Sequence, residues 1–114
     1  MMYFRLPDSG MRKDDRLPRI WSLQAAQDLL DIWAYLADHG SAAIADKQLK
    51  EIDRACFVLG AWTEYGKARD DVRAGLHSLS VSRYVVFYRV TKVAVEIVRV
   101  LDERRDVDAI FNND

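Results

Sequence analysis

The chain has 114 residues, half of them hydrophobic and 31% charged, a size that supports one domain burying roughly two-thirds of its unfolded surface. Its 17 Lys and Arg stand against 18 Asp and Glu, and the resulting net charge of -1 argues against gripping nucleic acid by charge alone. One Cys excludes an internal disulfide, one Cys with two His argues against a closed zinc site, and no run approaches the roughly 18 to 20 apolar residues that span a membrane.

Residues 1–16 carry Met1, Met2, Met11, Pro7, Gly10 and the charged run ending at Arg16, with no helical or strand period. They read as a flexible leader with Met11 as an alternative start, or as a partner-binding arm. Arg5, Pro7 and Asp8 interrupt the apolar core that a signal peptide needs, so a cytoplasmic chain is expected. Residues 17–114 form the expected folded domain.

Residues 17–21 can form a short strand, after which Ser22 offers an N-cap oxygen. Leu23, Ala26, Leu29, Leu30, Trp33, Leu36 and Ala37 then recur at helical spacing and predict one apolar stripe, with Asp28 and Asp31 on a solvated face. Gly40 is the expected stop, free to take positive φ. Ser41 caps a second helix whose stripe is Ala45, Leu49, Ile52, Cys56 and Leu59, closed by Gly60. So short a connection makes the two helices an antiparallel hairpin. Cys56 lies on that stripe and reads as core, not as a nucleophile.

Beyond Gly60 the period changes. Residues 72–79 read as a strand in which Gly75 is a weak point or a bulge. Residues 83–90 and 93–101 are rich in β-branched and aromatic side chains and are joined at Thr91 and Lys92. A tight turn there would set Arg89 opposite Ala94 and Phe87 opposite Glu96. Arg83, Val85, Phe87, Arg89, Glu96 and Val98 would share one face, and Tyr84, Val86, Tyr88, Val95 and Ile97 the other, against the helices; a three-residue loop would reverse this for one strand. Both runs are apolar on both faces, so both sides of the sheet need cover. The helical hairpin supplies one cover, and the C-terminal segment or another protein supplies the second. His77 has no evident acid partner and reads as a surface or structural residue. Arg69, Arg73, Arg83, Arg89, Arg99, Arg104 and Arg105 concentrate in this half, interleaved with acids; as a group they suit an acidic, apolar peptide. No phosphate loop, His pair at helical spacing or nucleophile elbow is present, and no cofactor is implied.

Four segments carry a family resemblance: Ala26-x-Asp28-Leu29-x-x-Ile32-x-x-Tyr35; Gly66-x-x-Arg69-Asp70-Asp71-Val72-Arg73-x-Gly75-Leu76; residues 84–90; and Ile97-Val98-Arg99-Val100-Leu101-x-x-x-Arg105-Asp106. In order and spacing, from about Leu17 to Phe111, the chain resembles the ParE branch of the RelE/ParE toxins. The resemblance implies an α+β fold of order β-α-α-β-β-β with a short C-terminal helix, its helical hairpin packed on a three- to four-stranded antiparallel sheet. It implies the toxin half of a type II toxin–antitoxin pair, neutralised by a ParD-like antitoxin, with DNA gyrase as target and no enzymatic step. Arg105 and Asp106, with Arg104, are the expected target-facing residues, or else they brace the last helix. Arg73, Arg89 and Arg99, with Phe87, are expected to shape the sheet surface or meet the antitoxin.

The RelE relatives are instead ribosome-dependent messenger-RNA nucleases, which need cations at the scissile phosphate and groups that move protons. Aligned on the shared Tyr84 and Tyr88, this chain has Leu76, Ser78 and Val85 where basic residues would stand on the sheet. Glu103 and Ala109 fall near the later Arg and Tyr positions; a shift of one or two residues would recruit Arg104 or Arg105, yet no Tyr follows Tyr88. Four departures from the ParE pattern concern the target and not the fold, one of them a hairpin turn at Thr91 and Lys92 shorter than most. Ala61 to Tyr65 lacks a usual Pro, His77 replaces Arg or Lys, and Asp102 replaces His.

Overall fold

The computed structural model describes residues 16–112, so residues 1–15 of the expected leader lie outside the described residues. Arg16, on the leader side of the expected boundary, stacks over the Phe57 ring at 4.2 Å and donates to the Phe57 carbonyl at 3.3 Å. The Leu17 amide then bonds the Gly60 carbonyl at 2.9 Å, which ties the chain's entry to the end of the helical hairpin.

Strand β1 (Arg19–Trp21) leads into α1 (Leu23–His39), α2 (Ala42–Leu59), a two-residue β2 (Lys67–Ala68), β3 (Leu76–Val81), β4 (Tyr84–Val90), β5 (Val95–Asp102) and α3 (Val107–Asn112). Apart from the added β2 the order is the expected one, but the sheet is neither three- to four-stranded nor wholly antiparallel. The sheet has five strands, in the order β1-β5-β4-β3-β2, because β2 adds an edge and β1 joins β5 in parallel.

Both helix starts follow from their caps. Ser22 Oγ accepts the Ala25 amide at 2.9 Å, and Ser41 Oγ accepts the Ile44 amide at 3.1 Å. The stop at Gly40 differs from expectation. Its φ is -143°, not positive, and an added Cβ would stand 3.1 Å from the Leu36 carbonyl oxygen and 3.2 Å from Ile44 Cδ1. Close approach of the hairpin, not a left-handed backbone, is what a side chain would disturb here.

The α2 stripe packs inward as expected, with Ala45, Ile52, Cys56 and Leu59 fully buried. The α1 stripe is rotated from its expected position. Ala25 and Asp28 are buried and Leu29 and Ile32 pack on the core, whereas Leu23 is 91% and Leu30 64% exposed. The physical cause is Asp28, a carboxylate turned inward because it has a cationic partner on β5.

The strand expected over residues 72–79 begins at Leu76. Gly75 precedes it in a turn at φ +80°, its amide bonded to Asp70 Oδ1 at 2.9 Å. The β4–β5 connection is also longer than expected. Thr91 Oγ1 accepts the Val93 and Ala94 amides at 3.2 and 3.1 Å, so Val90 pairs with Val95 and Arg89 with Glu96. The shift is by two positions, which preserves the faces. Further along, Tyr88 opposes Ile97 but Phe87 opposes Arg99, leaving Val98 as the extra residue of a bulge.

Two apolar layers result. Tyr84, Val86, Tyr88, Val95, Ile97 and Val100 pack under the hairpin. On the opposite face Leu76, Phe87 and Leu101 pack under Phe111 of α3, with Val85 and Val98 beside them. The second cover of the sheet is therefore the C-terminal helix.

Candidate functional site

At the far end of β5, a cleft of about 600 Å³ opens between α1 and the turn into α3. Asp28, Asp31, Ile32 and Tyr35 supply one wall, and Tyr84, Val100, Leu101, Asp102, Arg104 and Arg105 the other. The volume falls within the usual range for ligand pockets. Its floor is a sheet edge that β1 leaves uncovered.

Asp28 closes the inner end. Its carboxylate takes both guanidinium prongs of Arg99 at 2.9 Å and the Val100 amide at 2.9 Å. Three charge-assisted bonds satisfy a carboxylate that would otherwise be costly to bury. Asp102 organises the outer end. It receives Arg104 Nε at 3.0 Å, Arg104 Nη2 at 3.2 Å and the Arg104 amide at 2.9 Å, with Arg83 at 3.9 Å. Arg104's side-chain hydrogen bond, followed by its amide, holds the Asp102 carboxyl below the usual carboxylate range. Tyr84 lines the same cleft, and burial, reinforced by the Asp102 charge, pushes its pKa up. Tyr35, 54% exposed, stacks on His39 with ring centroids 4.1 Å apart and stands at the rim.

The expected target-facing residues divide by role. Arg105 lines the cleft and its side chain has no ion pair among the described residues, while its amide bonds the Asp102 carbonyl at 3.0 Å. Arg104 lines the cleft with its charge committed to Asp102. Asp106 caps α3 by accepting the Ala109 amide at 3.2 Å.

The residues expected to meet the antitoxin are dispersed. Arg89 is exposed and pairs across the hairpin with Glu96 at 3.2 Å. Arg99 is spent on Asp28 and faces α1. Arg73 donates to the Phe111 carbonyl at 2.7 Å and lies 5.1 Å over the Phe111 ring, so it pins the end of α3. Phe87 is fully buried, edge-on to Phe111 at 5.2 Å, and presents no surface in this fold.

Sequence reasoning placed Asp28 with the solvated residues and did not single out Tyr35 or Asp102 as cleft residues. The available signal was spacing: Asp28, Asp31, Ile32 and Tyr35 fall within two turns on one side of a helix. His77 has a structural setting, stacked on Tyr88 at 5.3 Å with its Nδ1 buried and unbonded. Cys56 is buried, and loss of solvation pushes its thiol up to about 12. No helix among the described residues is long and apolar enough to cross a membrane.

Comparison with known proteins gives concordant matches. The family model of the ParE toxin of type II toxin–antitoxin systems, parDE, matches residues 19–107. Toxin ParE1 of Mycobacterium tuberculosis (strain H37Rv) is 35% identical over 85 residues, which is 74% of this chain and 87% of that protein. Toxin ParE3 of Caulobacter vibrioides is 32% identical over 82 residues, 72% of this chain and 82% of that one. A solved chain from the chromosomal ParDE system of P. aeruginosa superposes with a TM-score of 0.68 at 20% identity, covering 77% of this chain and 97% of its own length. At that identity the likeness concerns the fold alone.

Proposed function

The chain belongs to the ParE toxin family of type II toxin–antitoxin systems, and from that premise we propose that it arrests growth by binding a cellular protein, DNA gyrase, without covalent chemistry of its own. In this reading it acts in the cytoplasm and is held inactive by a cognate ParD-like antitoxin. Arg105 carries the target contact, with Arg104 and Asp106 fixing the backbone around it. Arg89 meets the antitoxin directly, while Arg73, Arg99 and Phe87 shape the surfaces it covers.

The observation that carries this reading is the state of the sheet face opposite the hairpin. Leu76, Phe87, Leu101 and Phe111 fill it, and the nearby cations are committed: Arg69 to Asp71 at 3.1 Å and Arg73 to the α3 carbonyl. A nuclease on that face would need free cations around a phosphate and a proton-transfer group. This face offers an apolar layer instead.

Expression of the chain alone, with and without the protein encoded in the adjacent reading frame, tests the reading. Growth arrest relieved by the neighbour is expected. Normal growth with soluble chain present would overturn the toxin assignment. Arrest that the neighbour leaves unchanged would overturn its assignment as antitoxin.

A further inference from the structure

The turn from β3 into β4 is two residues long, Ser82 and Arg83, closed by the Val81–Tyr84 pair. Ser82 takes φ 59°, a left-handed backbone that strains any residue with a side chain. Such a position persists only where its surroundings hold it, and here the neighbouring strand does. The Glu103 amide donates to the Arg83 carbonyl at 2.9 Å, which carries the β4–β5 ladder one step past the Tyr84–Asp102 pair. The Arg105 amide in turn donates to the Asp102 carbonyl at 3.0 Å. The β-hairpin tip and the turn into α3 are bonded into one end of the sheet.

Charge at this end is unevenly satisfied. Asp102 receives Arg104 through two guanidinium nitrogens and the amide, at 2.9 to 3.2 Å. Arg83 Nε lies 3.9 Å from the same carboxylate, beyond hydrogen-bond reach, and its side chain is 52% exposed. An exposed pair of that length contributes little. Arg105 is exposed and has no ion pair among the described residues. Two cations adjoin a residue whose charge Arg104 already neutralises, and both remain open to an outside acid.

We infer that the Ser82–Arg83 tip is a second target-binding element, in which Arg83 works with Arg105 to hold acidic side chains of the target protein; the inference rests on the proposed function above. The makeup of the surface favours a protein partner. Tyr35 stands exposed at the rim of the adjoining cleft, and Tyr with Arg is the composition of residues that dominate binding energy at protein interfaces. A guanidinium also takes a carboxylate by two prongs, as Arg99 does with Asp28. Two acids share the turn. Asp106 is committed to the start of α3, where it accepts the Ala109 amide at 3.2 Å. Glu103 is exposed beside the tip and opposes an incoming acid, so its neutralisation strengthens the contact.

The test measures Kd of the purified full-length chain for intact gyrase, with and without DNA. In the absence of DNA, Arg83→Glu and Arg105→Glu should each raise Kd about tenfold or more, and Glu103→Gln should lower it about threefold. Arg54→Glu on α2 should leave it unchanged. Thermal unfolding of each variant separates a lost contact from a lost fold, and the Glu103→Gln arm reads a gain that misfolding cannot imitate. Wild-type Kd for Arg83→Glu, or unchanged or weaker binding by Glu103→Gln, overturns the inference and leaves the gyrase reading standing. Weakening by Arg83→Glu that appears only with DNA present assigns the cation to a phosphate and also overturns it. Failure of the wild-type chain to bind gyrase removes the target reading itself, and the inference with it.

Discussion

Asp28 on α1 and Arg99 on β5, 71 residues apart in sequence, form a two-pronged ion pair with both contacts at 2.9 Å. The same carboxylate takes the Val100 amide, so one side chain joins the helical hairpin to the sheet edge and closes the inner end of the cleft. With side-chain exposures of 10% and 14%, the pair is largely shielded from water.

Removing one partner of such a pair strands the other. Asp28→Asn keeps the shape but removes the carboxylate charge from the two-pronged bond with Arg99, and the expected loss is about 3 kcal/mol of unfolding free energy. Urea denaturation measures it. A loss below about 1 kcal/mol would mean that water reaches Arg99 and that the pair does not anchor α1.

Tyr88 holds the loop after α2 from beneath. Its hydroxyl donates to the Thr63 carbonyl at 2.9 Å and accepts the Gly66 amide at 3.0 Å. Tyr88→Phe should cost about 1 to 2 kcal/mol by leaving both groups unpaired. Gly66→Ala should cost more, because a Cβ there would lie 2.7 Å from the Tyr88 hydroxyl and press on the Ser78 carbonyl. Unfolding curves of the two variants check the order, and equal stability with wild type would contradict it.

Helix α3 is held by the Phe111 ring on Phe87 and the Arg73 bond to the Phe111 carbonyl, with Val107 and Ile110 packed beside them. Phe111→Ala should destabilise the chain by about 3 kcal/mol and speed amide exchange across α3. Unchanged exchange in α3 would place its anchor elsewhere.

Acid sensitivity follows from Asp102. Its folded pKa lies below the unfolded value of 3.8, first through the side-chain hydrogen bond from Arg104. A depressed folded pKa stabilises the fold above the unfolded value, and that contribution is lost as pH falls through the folded pKa. Asp102→Asn removes it. Wild type and variant should therefore differ in stability at neutral pH and converge below about pH 3.8. A gap that stays constant through that range would contradict the assignment.

Cys56 should resist alkylation in the native state at about pH 8, where burial leaves almost no thiolate, and react once the chain is denatured. Native labelling as fast as denatured labelling would show that the α2 core opens readily.

The legible parts of the fold were those set by local chemistry. Ser22 and Ser41 cap their helices as their position before an apolar stripe implies, and the α2 stripe from Ala45 to Leu59 faces the core. The doubly apolar strands correctly called for cover on both faces, and α3 supplies the second. What escaped was decided by partners distant in sequence. Apolar periodicity cannot show that Asp28 turns inward, because its reason for doing so is Arg99 on the last strand. With Asp28 inside, Leu23 and Leu30 are carried to the outer face. The β4–β5 register turned on the Thr91 hydroxyl, which lengthens the loop by holding two amides. For the site, Arg104 and Arg105 follow the last strand in sequence, and both line one cleft. The cleft they line depends on β1 being shorter than β5, which no single motif encodes.

In the proposed function the chain acts on a protein and does not cut RNA. That reading is tested most directly by gyrase supercoiling with purified chain, run beside primer extension on messenger RNA from induced cells. Loss of supercoiling with accumulation of cleaved DNA and intact transcripts is expected. Codon-specific transcript cuts with normal supercoiling would contradict it.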